Sequence, residues 1–141
     1  MTAEPTTDRR RTTSRVGALA GYLAATATAG LAVAHLTVYT AGFVASDSAT
    51  WSEYLIGGPA VSLVAGALAF LGLTLARTQG DHRPRRLLAS LAWLACALLT
   101  LQAVALALSG DLALFGPARP GTYSAVAGPA FGVLAWQRWR R

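Results

Sequence analysis

The feature that most limits how this chain can fold is a set of nearly uncharged apolar blocks close to the length needed to cross a lipid bilayer. They cover residues 16–44, 54–76, 87–108 and 123–136. A helix rises about 1.5 Å per residue and a hydrocarbon core is about 30 Å thick, so about 20 residues make one crossing. The first three blocks reach that length. The fourth does so only if its helix begins near Gly121 or Thr122 and runs to Arg138, roughly 17 residues. Hydrophobic residues make up 54% of the chain and charged residues 13%, roughly half the charged share of an average soluble domain. The expectation is an all-α, integral membrane four-helix bundle (residues 16–141) with spans near 16–44, 51–77, 87–109 and 122–138. A polar tail without periodicity, residues 1–15, precedes it.

Charge placement predicts the orientation, because arginines flanking a span are retained on the cytoplasmic side. Eleven of the twelve basic residues fall in three clusters: Arg9, Arg10, Arg11 and Arg15; Arg77, Arg83, Arg85 and Arg86; Arg138, Arg140 and Arg141. Only Arg119 lies elsewhere. Clusters at alternate connections require an even number of crossings between them, which four spans with both termini cytoplasmic supply. Asp47, Glu53 and Asp111 then fall on the outer side. Every basic residue is Arg and none is Lys, which with the alanine-rich composition points to a high-GC bacterial genome and so to the bacterial inner membrane.

A net charge of +6 does not make a nucleic-acid binder of this chain, since the arginines sit at helix ends and no nucleic-acid motif accompanies them. Contact with anionic lipid explains them better. The start resembles a signal peptide, with "RRRTTSR" before an apolar run and "AVA" before His35. The run continues past His35 to Val44, too long for a cleaved segment, and Thr-Thr-Ser after the arginines does not suit a twin-arginine signal. The lone Cys96 allows no intrachain disulfide and reads as a small buried hydrophobe.

The connections carry their own signals. Thr50 followed by Glu53 fits a capping box that starts the second helix and sets Trp51 and Tyr54 at the interface. Gly80 and Pro84 break the chain between the second and third helices, and His82 reads as a solvated loop histidine. The segment "SGDLALFGPARPGTY" excludes a long helix and reads as a loop folded onto the bundle mouth. "GPA" recurs at Gly58 to Ala60 and Gly128 to Ala130, each after a tyrosine, Tyr54 and Tyr123. That recurrence suggests two duplicated helical hairpins.

In lipid no hydrophobic drive brings helices together, so small residues that admit close backbone approach are the usual packing device. Such rows are Gly17 and Gly21 in the first helix, Gly58, Ser62 and Gly66 in the second, and Ser124, Gly128 and Gly132 in the fourth. At 100° per residue, Gly17, Gly21, Ala25, Thr28, Ala32, His35, Tyr39 and Gly42 share a sector of roughly 100°. The expectation is that His35 and Tyr39 face protein while Leu19, Leu23 and Leu31 face lipid. Gln102 is the one strongly polar side chain on an apolar stripe of the third helix and needs a partner. From the flanking arginines, His35 is about 30 Å deep and Gln102 about 24 Å, so a contact between them is expected.

Chemistry has little to draw on. The apolar interiors of the spans hold no Asp, Glu, Lys or Arg, the residues that usually mark proton relays or ion pathways. No G-x-S-x-G motif is present, haem would need a second histidine on the same side as His35, and zinc lacks ligands. No cofactor and no metal are expected. Trp93, Trp136 and Trp139 read as inner-interface anchors. The leading expectation is an accessory or assembly subunit that packs against another integral membrane protein or itself. A second reading is binding or transport of a small apolar molecule in an outward-facing pocket lined by His35, Tyr39 and Gln102. A third is a holin-like permeabilising protein, which the basic "RWRR" terminus fits.

Overall fold

The computed structural model describes residues 6–48, 50–78, 85–110, 112–117 and 119–140. Over these residues the chain is all-helical, without strands. Four helices carry the architecture: α1 (Thr6–Ala45), α2 (Trp51–Arg77), α3 (Arg85–Leu108) and α4 (Pro120–Trp139). The segments Arg15–Ala45, Trp51–Arg77 and Arg86–Leu108 are long and apolar enough to cross a membrane. α4 is 20 residues long and contains two prolines, three glycines and Arg138 in its last turn, and it is not among those three. His82, Gly80, Pro84 and Asp111 lie outside the described residues.

Local chemistry explains the boundaries. α1 begins at Thr6, directly after Pro5 in the sequence, so most of the segment expected as a loose tail is helical. No glycine or proline separates Thr6 from the apolar stretch, and a helix stabilised there propagates backward at little cost. α2 starts on the expected capping box. The Glu53 amide donates to Thr50 Oγ1 at 3.3 Å, and the Thr50 amide donates to Glu53 Oε2 at 3.1 Å. Within α2, Ile56–Ala60 form one widened, π-type turn around Pro59. Pro59 has no N–H for the carbonyl a turn back, and the wider turn carries the helix past it. α3 stops at Gly110, whose φ of 77° is left-handed and suits a residue without a Cβ. α4 opens with Pro120 at its first position, where the missing N–H costs nothing.

The helices pack in the spatial order α2, α1, α4, α3, and α2 barely meets α3. α1 therefore has two neighbours and two packed faces. Gly21, Ala25, Ala32 and Tyr39 meet α2: a Cβ at Gly72 would stand 2.9 Å from the Ala25 amide nitrogen and 3.2 Å from the Gly21 carbonyl. Ser62 Oγ donates to the Ala32 carbonyl at 2.9 Å. The other face, Ala20, Ala24, Ala27 and Leu31, shares one core with Ala127, Phe131 and Leu134 of α4. Leu31 is thus buried, against the expectation that it faces lipid. A small and polar stripe marks only one of the two faces, and an ordinary apolar arc hides the second.

The glycine rows divide. Gly17 is buried, Gly128 lies against Thr100 and Gly132 against Cys96, joining α4 to α3. Gly66, expected to pack, has open space where its Cβ would be, as does Gly42. Gly66 points away from α1 because the α1-facing row of α2 runs through Ser62, Ala65, Gly72 and Ala76 instead. Small residues fill the core while Leu63, Phe70, Leu94, Leu101 and Leu108 stand exposed. Such an inside-out distribution suits an apolar solvent.

One cation ties the two hairpins together. Arg138 Nη2 donates to Thr78 Oγ1 at 2.8 Å, to the Thr78 carbonyl at 3.1 Å and to the Leu75 carbonyl at 3.4 Å. It supplies donors to the C-terminal carbonyls of α2, which no intrahelical N–H reaches. Gly72→Ala should lower stability in detergent by about 1–3 kcal/mol through overpacking against backbone. Gly66→Ala should raise it by about 0.5–1 kcal/mol from helix propensity alone. Thermal melts of both variants check the pair.

Candidate functional site

Polar and aromatic side chains gather at the end of the bundle where α1 ends and α2 begins. His35 continues the inward row of Gly21, Ala24 and Thr28 on α1. Both of its ring nitrogens are buried and neither has a hydrogen-bond partner among the described residues. Its ring is stacked with that of Tyr39, centroids 6.0 Å apart and planes 10° from parallel. Tyr39 in turn lies flat on the Gly57–Gly58 pair of α2, where a Cβ on Gly57 would overlap its ring. The widened turn at Pro59 contains that glycine pair, so the sequence "IGGPA" makes both the bend and the seat.

Further out the aromatic stack continues. Phe43 lies 4.7 Å from Trp51 and 4.8 Å from Tyr54, centroid to centroid. The Tyr54 hydroxyl is 3.4 Å from Thr40 Oγ1. A shallow groove of about 290 Å³ opens between Tyr39, Phe43, Glu53 and Tyr54. It sits at the lower end of the ~300–1,000 Å³ of ordinary small-molecule sites. Tyr39 lines this groove; His35 and Gln102 do not.

Gln102 lies apart from the other two. His35 lacks a hydrogen-bond partner, so the expected direct contact is not formed. Depth along the bundle matches, but α4 is seated between α1 and α3. Gln102 is half-buried on α3, on the same face as exposed Leu91 and Leu98. Its amide makes no hydrogen bond among the described residues.

Several participants escaped sequence reasoning. Gly57, Gly72 and Gly30 each receive a neighbour where a Cβ would stand, Gly30 taking the Tyr123 ring. Ser124, expected in the packing row of α4, is fully buried, and its hydroxyl has no partner among the described residues. Only the Gly57–Gly58 doublet carried a local signal, two helix-disfavouring residues before a proline. Among the described residues no group of three or more His, Cys, Asp and Glu side chains is placed to hold a metal.

No protein-family model matches the chain, and neither the curated proteins nor the solved structures yield a match. The candidate site therefore rests on its own geometry.

An imidazole whose two nitrogens are desolvated and unpaired carries a cost of roughly 1–3 kcal/mol. His35→Phe keeps the ring and removes that cost, so it should leave thermal stability in detergent unchanged or raise it by about 1 kcal/mol. A fall of more than about 2 kcal/mol in the melt would mean that His35 holds the fold together through its nitrogens.

Proposed function

We propose that the chain is a multi-pass protein of the bacterial inner membrane, with four spans and both termini cytoplasmic, acting as an accessory or assembly subunit of a larger membrane complex. The inside-out side-chain distribution supports membrane residence. The arginine clusters support the orientation: the Gly21–Ala76 contact and the Arg138–Thr78 bond bring Arg15, Arg77 and Arg138 to one end of the bundle. The observation that carries the subunit reading is Gln102. An unpaired carboxamide near hydrocarbon costs several kcal/mol, and a polar group on a neighbouring helix removes that cost. The open row of helices, with α2 and α3 flanking the centre, leaves Gln102 and the exposed leucines of α3 free to meet such a helix.

The groove at Tyr39, Phe43 and Tyr54 favours a second reading, binding or transport of a small apolar molecule. In this reading His35 supports the Tyr39 wall rather than contacting the ligand. The two readings separate on purification from the native host in mild detergent. A subunit copurifies with a membrane protein in fixed stoichiometry, and Gln102→Leu reduces that recovery about tenfold while the melt of the isolated chain holds. A lone monomer, or a partner retained in full by Gln102→Leu, would reject the subunit role as drawn here. For the topology, a reporter active only outside the cytoplasm should work when inserted after Ser109 and fail when fused after Arg141.

A further inference from the structure

A second, larger groove lies between the outer half of α1 and the start of α4, with a volume of about 600 Å³. Ala29, Gly30, Val33 and Ala34 form one wall, Tyr123 and Pro120 the other, and Arg119 stands at the mouth. From Arg15, Ala29 is about 21 Å along the helix and Val38 about 34 Å. The groove therefore runs for about 13 Å through the outer part of a ~30 Å hydrocarbon core, close to the depth of one leaflet.

The mouth is electropositive for two separate reasons. Arg119 is the only basic residue outside the three clusters, it is exposed, and it makes no ion pair among the described residues. It is also the N-cap of α4 and contributes no side-chain cap, while Pro120 follows it. The first-turn amides and the positive end of the helix dipole thus lie at the same end of α4 as Arg119. The Tyr123 hydroxyl in the groove wall makes no hydrogen bond among the described residues. Its ring reaches that position because Gly30 has no Cβ.

We infer that this groove is a binding site for an anionic phospholipid of the outer leaflet, one acyl chain lying against Val33 and Ala34 and the phosphate at Arg119. An apolar trough about one leaflet deep with Arg119 at its rim, unpaired among the described residues, is complementary to that amphiphile. A zwitterionic lipid brings a competing ammonium, and a free anion leaves the trough empty. The proposed orientation decides which leaflet supplies the lipid but not whether the contact forms, so the site stands apart from the subunit reading.

The test is native mass spectrometry of the full chain in detergent, titrated with phosphatidylglycerol or with phosphatidylcholine of the same chains. The expected result is preferential retention of phosphatidylglycerol, weakened about five- to tenfold by Arg119→Gln. Arg86→Gln, with the same change in net charge, should leave it as in the wild type. Val33→Trp, which fills the trough at an exposed position, should weaken both lipids. Melts in detergent alone should match for all three variants. Equal retention of the two lipids, equal weakening by Arg86→Gln, displacement by inorganic phosphate, or binding that survives Val33→Trp would each overturn the assignment.

Discussion

The structure depends on how closely α1 can approach two helices at once. On one side Gly21 and Ala25 meet Gly72 and Ala76 almost backbone to backbone. On the other, Ala20, Ala24 and Ala27 admit α4 to a shared core around Phe131. In lipid, burial of apolar surface gives helices no reason to associate, and close packing of small side chains supplies the attraction. A side chain added where α1 and α2 meet backbone to backbone, as at Gly72, has no space without a shift of one helix. Because α1 and α4 fill the centre, α2 and α3 flank them with little mutual contact, and the result is an open row of hairpins rather than a closed bundle.

Polar side chains sort by how their hydrogen bonds are met. Thr26, Thr28, Thr74 and Ser109 return their hydroxyls to carbonyls three or four residues back on their own helices. They need nothing from the tertiary structure. Ser62 and Arg138 reach across to another helix and fix its position. His35, Gln102 and Ser124 remain outside both groups. Among the described residues other hydroxyls find partners so cheaply that these three unpaired groups stand apart, Gln102 half-buried on the face of α3 that carries exposed Leu98.

Length, apolar blocks and caps were legible because each depends on a few neighbouring residues. The capping box at Thr50 and Glu53 and the break at Gly110 are of this kind. Pairings between helices were not. His35 and Gln102 were matched by depth, a one-dimensional quantity that the rise per residue supplies. Their separation is azimuthal and follows from α4 lying between α1 and α3. Leu31 and Gly66 differ from expectation for the same reason: the stripe of small residues is only one of the two packed faces of α1, and the glycine spacing in α2 continues where no neighbour lies. Glycine permits close approach without requiring it.

By itself, then, the sequence determined that the chain is helical, where α2 and α4 begin, and that three of its helices have the length and polarity to cross a membrane. Those properties follow from hydrogen bonds and transfer energies local to each segment. Only the tertiary structure decided that α1 is the hub, that the Tyr39 ring lies on Gly57 and Gly58, that Arg138 caps α2 and that Gln102 lies apart from His35. Each of these depends on the rotation of one helix about its axis relative to another, which is set by the fit of small side chains summed over whole faces.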